Sequence, residues 1–284
     1  MPKHISRETK EAIVREYRER PVRQAVIAEK YGVSIPSVVK ILSQYGVPMW
    51  GMAQLFSPDL DEGYFEEINS QDKAYFLGYI TTDGCVFWKD AHHAFLTMEL
   101  HKKDRCILEA FMKAVRCNRK LVTNQRRGTV AATVTSARMV RDLEKYCVRP
   151  RSSLTRKFWD AVPDEYLASY MRGLVDGDGS FGFYARPGRS VHKKAFRMCS
   201  GSRDFIDAFV DKMADALGVS TPRIHVDAAR NLYDTGWIRN DDLETIIGFL
   251  YSTDGLYLAR KKEVADRIVD EIRQHRDNGR LTAS

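Results

Sequence analysis

Between residues 74 and 261 the chain repeats itself, and a repeat of this length limits what it can fold into. AYFLGYITTDGCVF at 74–87 corresponds to SYMRGLVDGDGSFG at 169–182, with Asp83 aligned on Asp178 at an offset of 95. RCILEAF at 105–111 corresponds to RDFIDAF at 203–209 (offset 98), and SLTRK at 153–157 to YLARK at 257–261 (offset 104). Three landmarks recur in one order, and their offsets drift as loop insertions make them drift. A period of roughly a hundred residues is too long for a solenoid and marks a duplicated domain.

Within each copy the pattern reads helix, strands, helix, strands, helix. Strand candidates are GCVFWKD, AFLTMEL, RKLVTNQ and TVAATVT in the first copy, and SFGFYAR, KKAFRMCS, RIHVDAA and LYDTGWI in the second. Several alternate polar and apolar, as half-solvated antiparallel strands do. Helices flanking antiparallel sheets make an α+β fold, a pseudo-twofold tandem of αββαββα half-domains expected over 73–162 and 163–284.

The first landmark of each copy carries the chemistry. Gly78 and Thr82 stand four apart, as do Gly173 and Gly177, so each helix has a stripe of small residues on one face. Such stripes let two backbones approach closely, which makes Gly78 and Gly173 the expected helix-packing residues. Each helix then places an aspartate, Asp83 or Asp178, at its C-terminal end, and Gly84 or Gly179 follows as a helix stop. A carboxylate there opposes the helix dipole. Two of them at one helix pair repel and call for a cation between them. All-oxygen ligation suits Mg2+, with Mn2+ as a substitute, and metal-assisted phosphodiester hydrolysis is the matching chemistry.

Residues 1–48 read as a separate all-α unit. VRQAVIAEKYGVSIPSVVKILSQYGV has helix-turn-helix spacing: Ile27 and Ala28 face inward, Tyr31 closes a helix, and Gly32 falls where the turn favours positive φ. Ser34 is a good N-cap, and Pro36 fits a first helical turn. Ser34, Ser37, Lys40 and Gln44 are left near the exposed side of the second helix, as candidates for meeting bases in a major groove. A purely structural three-helix unit is the plainer alternative. The chain carries a net charge of +7, and residues 1–50 hold nine Lys/Arg against five Asp/Glu, so over half of the excess lies here. Residues 49–72 turn acidic and read as a connector anchored by Trp50, Phe56, Tyr64 and Phe65.

FLGYITTDG at 76–84 and MRGLVDGDG at 171–179 resemble the two motifs of the LAGLIDADG homing endonucleases. The likeness extends over VPDEYLASYMRGLVDGDGSF and covers about residues 64–270. The first motif departs from the pattern at Thr81 and Thr82, yet keeps its final Asp-Gly. The resemblance implies that Asp83 and Asp178 bind metal, helped by the backbone carbonyls of Thr82 and Gly177. It implies that curved sheets lie along the major groove of double-stranded DNA with a long specific site, and that both strands are cut. It also implies a basic residue near each scissile phosphate late in each repeat, for which Lys157 and Lys261 are the candidates. Arg126, Arg127, Lys193, Lys194, Arg197 and Arg223 are candidate phosphate or base contacts from the sheets. One chain with two halves is expected to act as a monomer.

Two other functions stay open on this fold: a non-catalytic DNA-binding regulator and an intron RNA maturase. A helix-turn-helix favours duplex DNA over RNA. Gly177-x-Gly179-x-x-Gly182 fits a dinucleotide fingerprint in letters, but a helix precedes it and a strand follows, the reverse of what that motif needs. Asp176-x-Asp178 could open a calcium loop, but Phe181 stands where that loop needs glycine. His92 and His93 have no zinc-ligand companions. The five cysteines form no C-x-x-C pair, which points away from zinc and disulfide frameworks and towards a reducing cytoplasm. The opening MPKHISRETK reads as mature protein, and no apolar run is long enough to span a membrane.

Overall fold

The computed structural model describes residues 5–51, 55, 57, 59–186 and 189–281. The chain divides into two compact units, one of residues 1–61 with 112–120, the other of 62–111 with 121–284.

The first unit is built on α1 (Arg7–Glu19), α2 (Gln24–Tyr31) and α3 (Ile35–Gln44). Ser6 caps α1 by accepting from the Thr9 N–H at 3.1 Å. Gly32 ends α2 at φ 62°, ψ 32°, the left-handed conformation that glycine adopts without cost. The Val33 N–H then closes back on the Ala28 carbonyl at 2.9 Å. Ser34 caps α3 through the Ser37 N–H at 3.3 Å, and Pro36 lies in its first turn. Ile13, Tyr17, Ile27, Ala28, Val38, Ile41 and Leu42 fill the centre. Trp50 leans on this core and donates its indole N–H to the Tyr17 carbonyl at 2.8 Å. Residues 112–120 join the same unit, where the Asp61 N–H meets the Val115 carbonyl at 2.9 Å.

The second unit holds both copies of the repeat except residues 112–120. The first copy runs α4 (Gln71–Asp83), β1 (Gly84–Trp88), β2 (Ala94–His101), α5 (Arg105–Ala114), β3 (Val122–Asn124), β4 (Thr129–Thr135) and α6 (Ala137–Lys145). The second runs α7 (Asp164–Asp178), β5 (Gly179–Arg186), β6 (Arg189–Ser200), α8 (Arg203–Leu217), β7 (His225–Asp227), β8 (Leu232–Trp237) and α9 (Asn240–Leu250). Both copies are αββαββα, as their sequence pattern requires. A long helix, α10 (Ala259–Leu281), follows α9 and begins within the last repeated landmark, 257–261. The sheets have matching antiparallel orders, β1-β2-β4-β3 and β5-β6-β8-β7.

Alternation decides which face of each sheet is covered. Leu96, Met98 and Leu100 lie opposite Val134, Ala132 and Val130, and all six are buried. In the second sheet Phe181, Phe196 and Trp237 share one face, with ring centroids 5.0 and 5.4 Å apart. Of the four aromatics expected to anchor 49–72, Tyr64 and Phe65 are buried in this second unit and Trp50 belongs to the first. Phe56 lies outside the described residues. Among the described residues no helix is long and apolar enough to cross a membrane.

Candidate active site at the paired motif helices

α4 and α7 pack along their glycines. A Cβ at Gly78 would run into the Tyr170 carbonyl and lie 2.9 Å from the Leu174 nitrogen; one at Gly173 would meet the Tyr75 carbonyl and come within 2.8 Å of the Tyr79 nitrogen. At Gly177 a Cβ would overlap the Thr82 side chain. Thr82, the first motif's departure from the family pattern, is thus accommodated by the absent side chain opposite it.

The contact brings Asp83 and Asp178 to neighbouring helix ends. Each is the last helical residue, because Gly84 (φ −79°) and Gly179 (φ −85°) turn the chain straight into β1 and β5. These glycines stop their helices in an extended conformation, without the left-handed turn of a usual glycine cap. Their need is for space: a Cβ would lie 2.6 Å from the Ile80 Cγ2 at Gly84 and 2.7 Å from the Val175 oxygen at Gly179. Burial, and then the charge of Asp178, push the Asp83 carboxyl up to about 6. Burial also raises Asp178, against the opposing pull of Arg156.

Two cations lie at these helix ends, Lys261 on main-chain oxygens and Arg156 on an acid. Lys261 is buried, and its ammonium donates to the carbonyls of Val175 (2.9 Å), Asp176 (2.6 Å), Gly177 (3.2 Å) and Gly179 (2.6 Å). It therefore satisfies the orphan carbonyls at the end of α7, and burial holds its pKa below the usual lysine value. Lys157, its counterpart in the repeat, does not reach the acids; it is exposed and pairs with Asp204. The preceding residue, Arg156, takes the site instead. Arg156 pairs through Nη1 with the Asp178 carboxylate and donates through Nη2 to the Thr82 carbonyl at 2.8 Å.

Two more buried polar residues, Arg172 and Asp176, have structural roles that the sequence did not show. Arg172, only 1 % exposed, donates to the carbonyls of Leu256 (2.8 Å), Leu250 (2.8 Å) and Thr253 (3.0 Å), and so holds the segment leading to α10. Asp176 accepts from the Tyr75 hydroxyl at 2.9 Å and the Leu258 N–H at 2.8 Å, and burial pushes its carboxyl up to about 6. The available signal was the presence of Arg172 and Asp176 within the largely apolar stretch 167–176 of this helix.

The oxygens of Asp83, Asp178, Thr82 and Gly177 are of the hard type that Mg2+ takes, and the Thr82 and Gly177 carbonyls here accept from Arg156 and Lys261. Burial first, and the charge of Asp178 second, disfavour the ionised Asp83 carboxylate, and a divalent ion would offset both. Among the described residues, no cluster of three or more His, Cys, Asp or Glu side chains is placed to hold a metal. Any ion at this pair must therefore draw on main-chain carbonyls or water.

Around the acids lie clefts and open sheet faces. A cleft of about 600 Å³ is lined by Thr82, Gly84, Cys85, Arg149, Arg151 and Arg156. The open face of the second sheet carries Tyr184, Lys193, Arg197, Asp234 and His225, and with the exposed Arg223 they line a hollow of about 530 Å³. Lys194 departs from the expectation of a DNA-facing role. By alternation it lies on the opposite face, where it is 12 % exposed and pairs with Glu271 of α10 at 3.5 Å. Arg126 and Arg127 are exposed in the β3–β4 turn. In the helical unit Ser34, Lys40 and Gln44 are exposed, while Ser37 is half-buried and bonds Ser34 at 2.8 Å.

Comparison with solved structures identifies the arrangement. I-AabMI, a LAGLIDADG meganuclease bound to uncleaved DNA, aligns over 72% of this chain and 91% of its own, with a TM-score of 0.53 and 13% identity. I-LtrWI, a LAGLIDADG homing endonuclease bound to target DNA, aligns over 75% and 92%, with a TM-score of 0.53 and 14% identity. The fold is that of the LAGLIDADG endonucleases. I-GzeII, another LAGLIDADG homing endonuclease in complex with its DNA target, covers 76% of the chain at TM-score 0.53 and 11% identity. No protein-family model and no curated protein sequence matches the chain. At such low identity the shared LAGLIDADG architecture rests on geometry: two glycine-packed motif helices and two four-stranded sheets of the same order.

Proposed function

We propose that this protein is a site-specific double-stranded DNA endonuclease of the homing type, acting as a monomer, with Mg2+ (or Mn2+) as cofactor. The observation that carries this reading is the acid pair. Asp83 and Asp178, one from each half, lie half-buried at the neighbouring ends of helices that only glycine allows to touch. Solved neighbours of the same fold are bound to DNA, which supports duplex DNA as the substrate.

Asp83, Asp178 and the carbonyls of Thr82 and Gly177 would hold the ion. When bound, a divalent cation supplies Lewis acidity and eases deprotonation of water. The chain's own residues do the positioning. Lys261 fixes the carbonyls at the end of α7, so that the Asp178 backbone keeps its place when charge develops nearby. Arg149 and Arg151, in the cleft beside the end of α4, attract backbone phosphates. Lys193, Arg197 and Arg223 offer base or phosphate contacts from the second sheet, and Arg126 and Arg127 from the tip of the first. Ser34, Lys40 and Gln44 present a second, helical reading surface.

The test is incubation of purified protein and Mg2+ with its coding locus, and with the same locus lacking the gene. Cleavage of the uninterrupted locus alone is expected. Asp178→Asn should lower it by at least ~10³-fold while DNA binding survives. Undiminished cutting by Asp178→Asn would sink the reading.

One observation favours a second reading, a DNA-binding regulator without catalysis: Arg156 already neutralises Asp178. That reading expects a tight complex with no metal-dependent nicking in Mg2+ or Mn2+.

A further inference from the structure

Arg156 does more than stand near the acids. Its guanidinium holds two of the four oxygens on which a cation at this site would depend, the Asp178 carboxylate and the Thr82 carbonyl, and so ties the end of α7 to the end of α4. The side chain is only 11% exposed, lies 5.3 Å over the Phe205 ring, and reaches the Ser200 hydroxyl at 3.4 Å. Its base is pinned, because the Arg156 carbonyl accepts from Ser202 Oγ at 2.8 Å. Its tip is not confined in the same way, because the cleft of about 600 Å³ that it lines gives the guanidinium somewhere to go. Asp83 is treated differently. Among the described residues it has no ion pair, and Lys261 touches only main-chain oxygens.

We propose that Arg156 is a displaceable cation plug: in the metal-free protein its guanidinium fills the acid pair, and divalent-ion binding requires it to release Asp178 and the Thr82 carbonyl. The inference rests on the reading of the acid pair as a cation site. Like charges cannot share oxygens at hydrogen-bond distance in a buried setting, so guanidinium and ion exclude each other. The plug keeps the half-buried Asp178 compensated until an ion arrives, and removing it leaves an unpaired carboxylate. It draws on both halves at once, the Asp178 carboxylate of the second and the Thr82 carbonyl of the first, while the Asp83 carboxylate has no ion pair among the described residues.

The experiment is a Mn2+ titration of the full chain without DNA, with free Mn2+ followed by electron paramagnetic resonance. Wild type, Arg156→Gln, Arg156→Lys and Asp178→Asn with Arg156→Gln are compared. Arg156→Gln should bind Mn2+ about 10-fold more tightly than wild type, melt lower in EDTA, and gain more from Mn2+. Adding Asp178→Asn should erase the gain. Arg156→Lys keeps the charge but is too short to span both oxygens; it should tighten binding a few-fold and covers the case in which the glutamine variant fails to fold. Equal Mn2+ affinity in wild type and the Arg156 variants overturns the plug and leaves the acid-pair reading standing. Absence of Mn2+ binding in every variant overturns both.

Discussion

In the first half the motif helix carries Leu77, Thr81 and Thr82; at the same three positions the second half carries Arg172, Asp176 and Gly177. The first set is satisfied within its own helix, as when Thr81 donates back to the Leu77 carbonyl at 2.8 Å. The second set reaches outward, with Arg172 gathering the carbonyls of 250–256 and Asp176 holding Tyr75 and the Leu258 N–H. The sheets differ in the same sense. The open face of the first sheet carries threonines, with Thr97 and Thr133 bonded at 3.2 Å, and a stacked Phe87–Phe95 pair 4.7 Å apart. The open face of the second carries Lys193, Arg197 and Tyr184. Duplication preserved topology and backbone contact, while the buried charges of the motif helices, Arg172 and Asp176, stand on that of the second copy. That copy alone is followed by the extra helix α10, which its charges help to anchor.

The largest expected effect breaks that asymmetry. Arg172→Leu, which installs the first half's residue, leaves several buried carbonyls unpaired and should cost about 3–5 kcal/mol in urea unfolding. Leu77→Met, the volume-conserving change at the matching position, should cost less than about 1.5 kcal/mol. Equal costs would mean that the Arg172 cradle adds nothing.

The helix contact can be sharpened by a double-mutant cycle. Gly177→Ala alone should destabilise by roughly 2 kcal/mol through overpacking against Thr82. Combining it with Thr82→Ala should recover about 1–2 kcal/mol, a coupling that two independent sites would lack. Simple additivity would refute the small-against-large complementarity.

The smallest effect concerns the two faces of the second sheet. On a selected target, Arg197→Ala should weaken binding about 10-fold and lower the salt slope by about one unit. Lys194→Ala, on the covered face, should change binding less than about twofold. Equivalent losses would place Lys194 at the DNA.

Much of this was legible in the letters. The αββαββα order, the strand TVAATVT at 129–135, the Gly32 turn and the glycine contact all follow from periodicity, turn chemistry and spacing. So does the placing of Asp83 and Asp178 at helix ends, because a stop glycine follows each. Lys194 was misplaced because a run of two lysines gives no register, and one step along a strand reverses the face.

The sequence by itself determined the repeat, the αββαββα order of each copy and the close helix contact, because these depend on local spacing and on the absence of side chains at Gly78 and Gly173; the long helix α10 was not among its elements. Only the tertiary structure decided which cations serve them. Arg156 and Lys157 are adjacent and both basic; the Asp178 carboxylate and the Thr82 carbonyl, 22 and 74 positions away in the chain, draw in one while Asp204 holds the other at the surface. Long flexible side chains are placed by the partners that folding brings within reach, and those partners come from elements that are remote in the sequence.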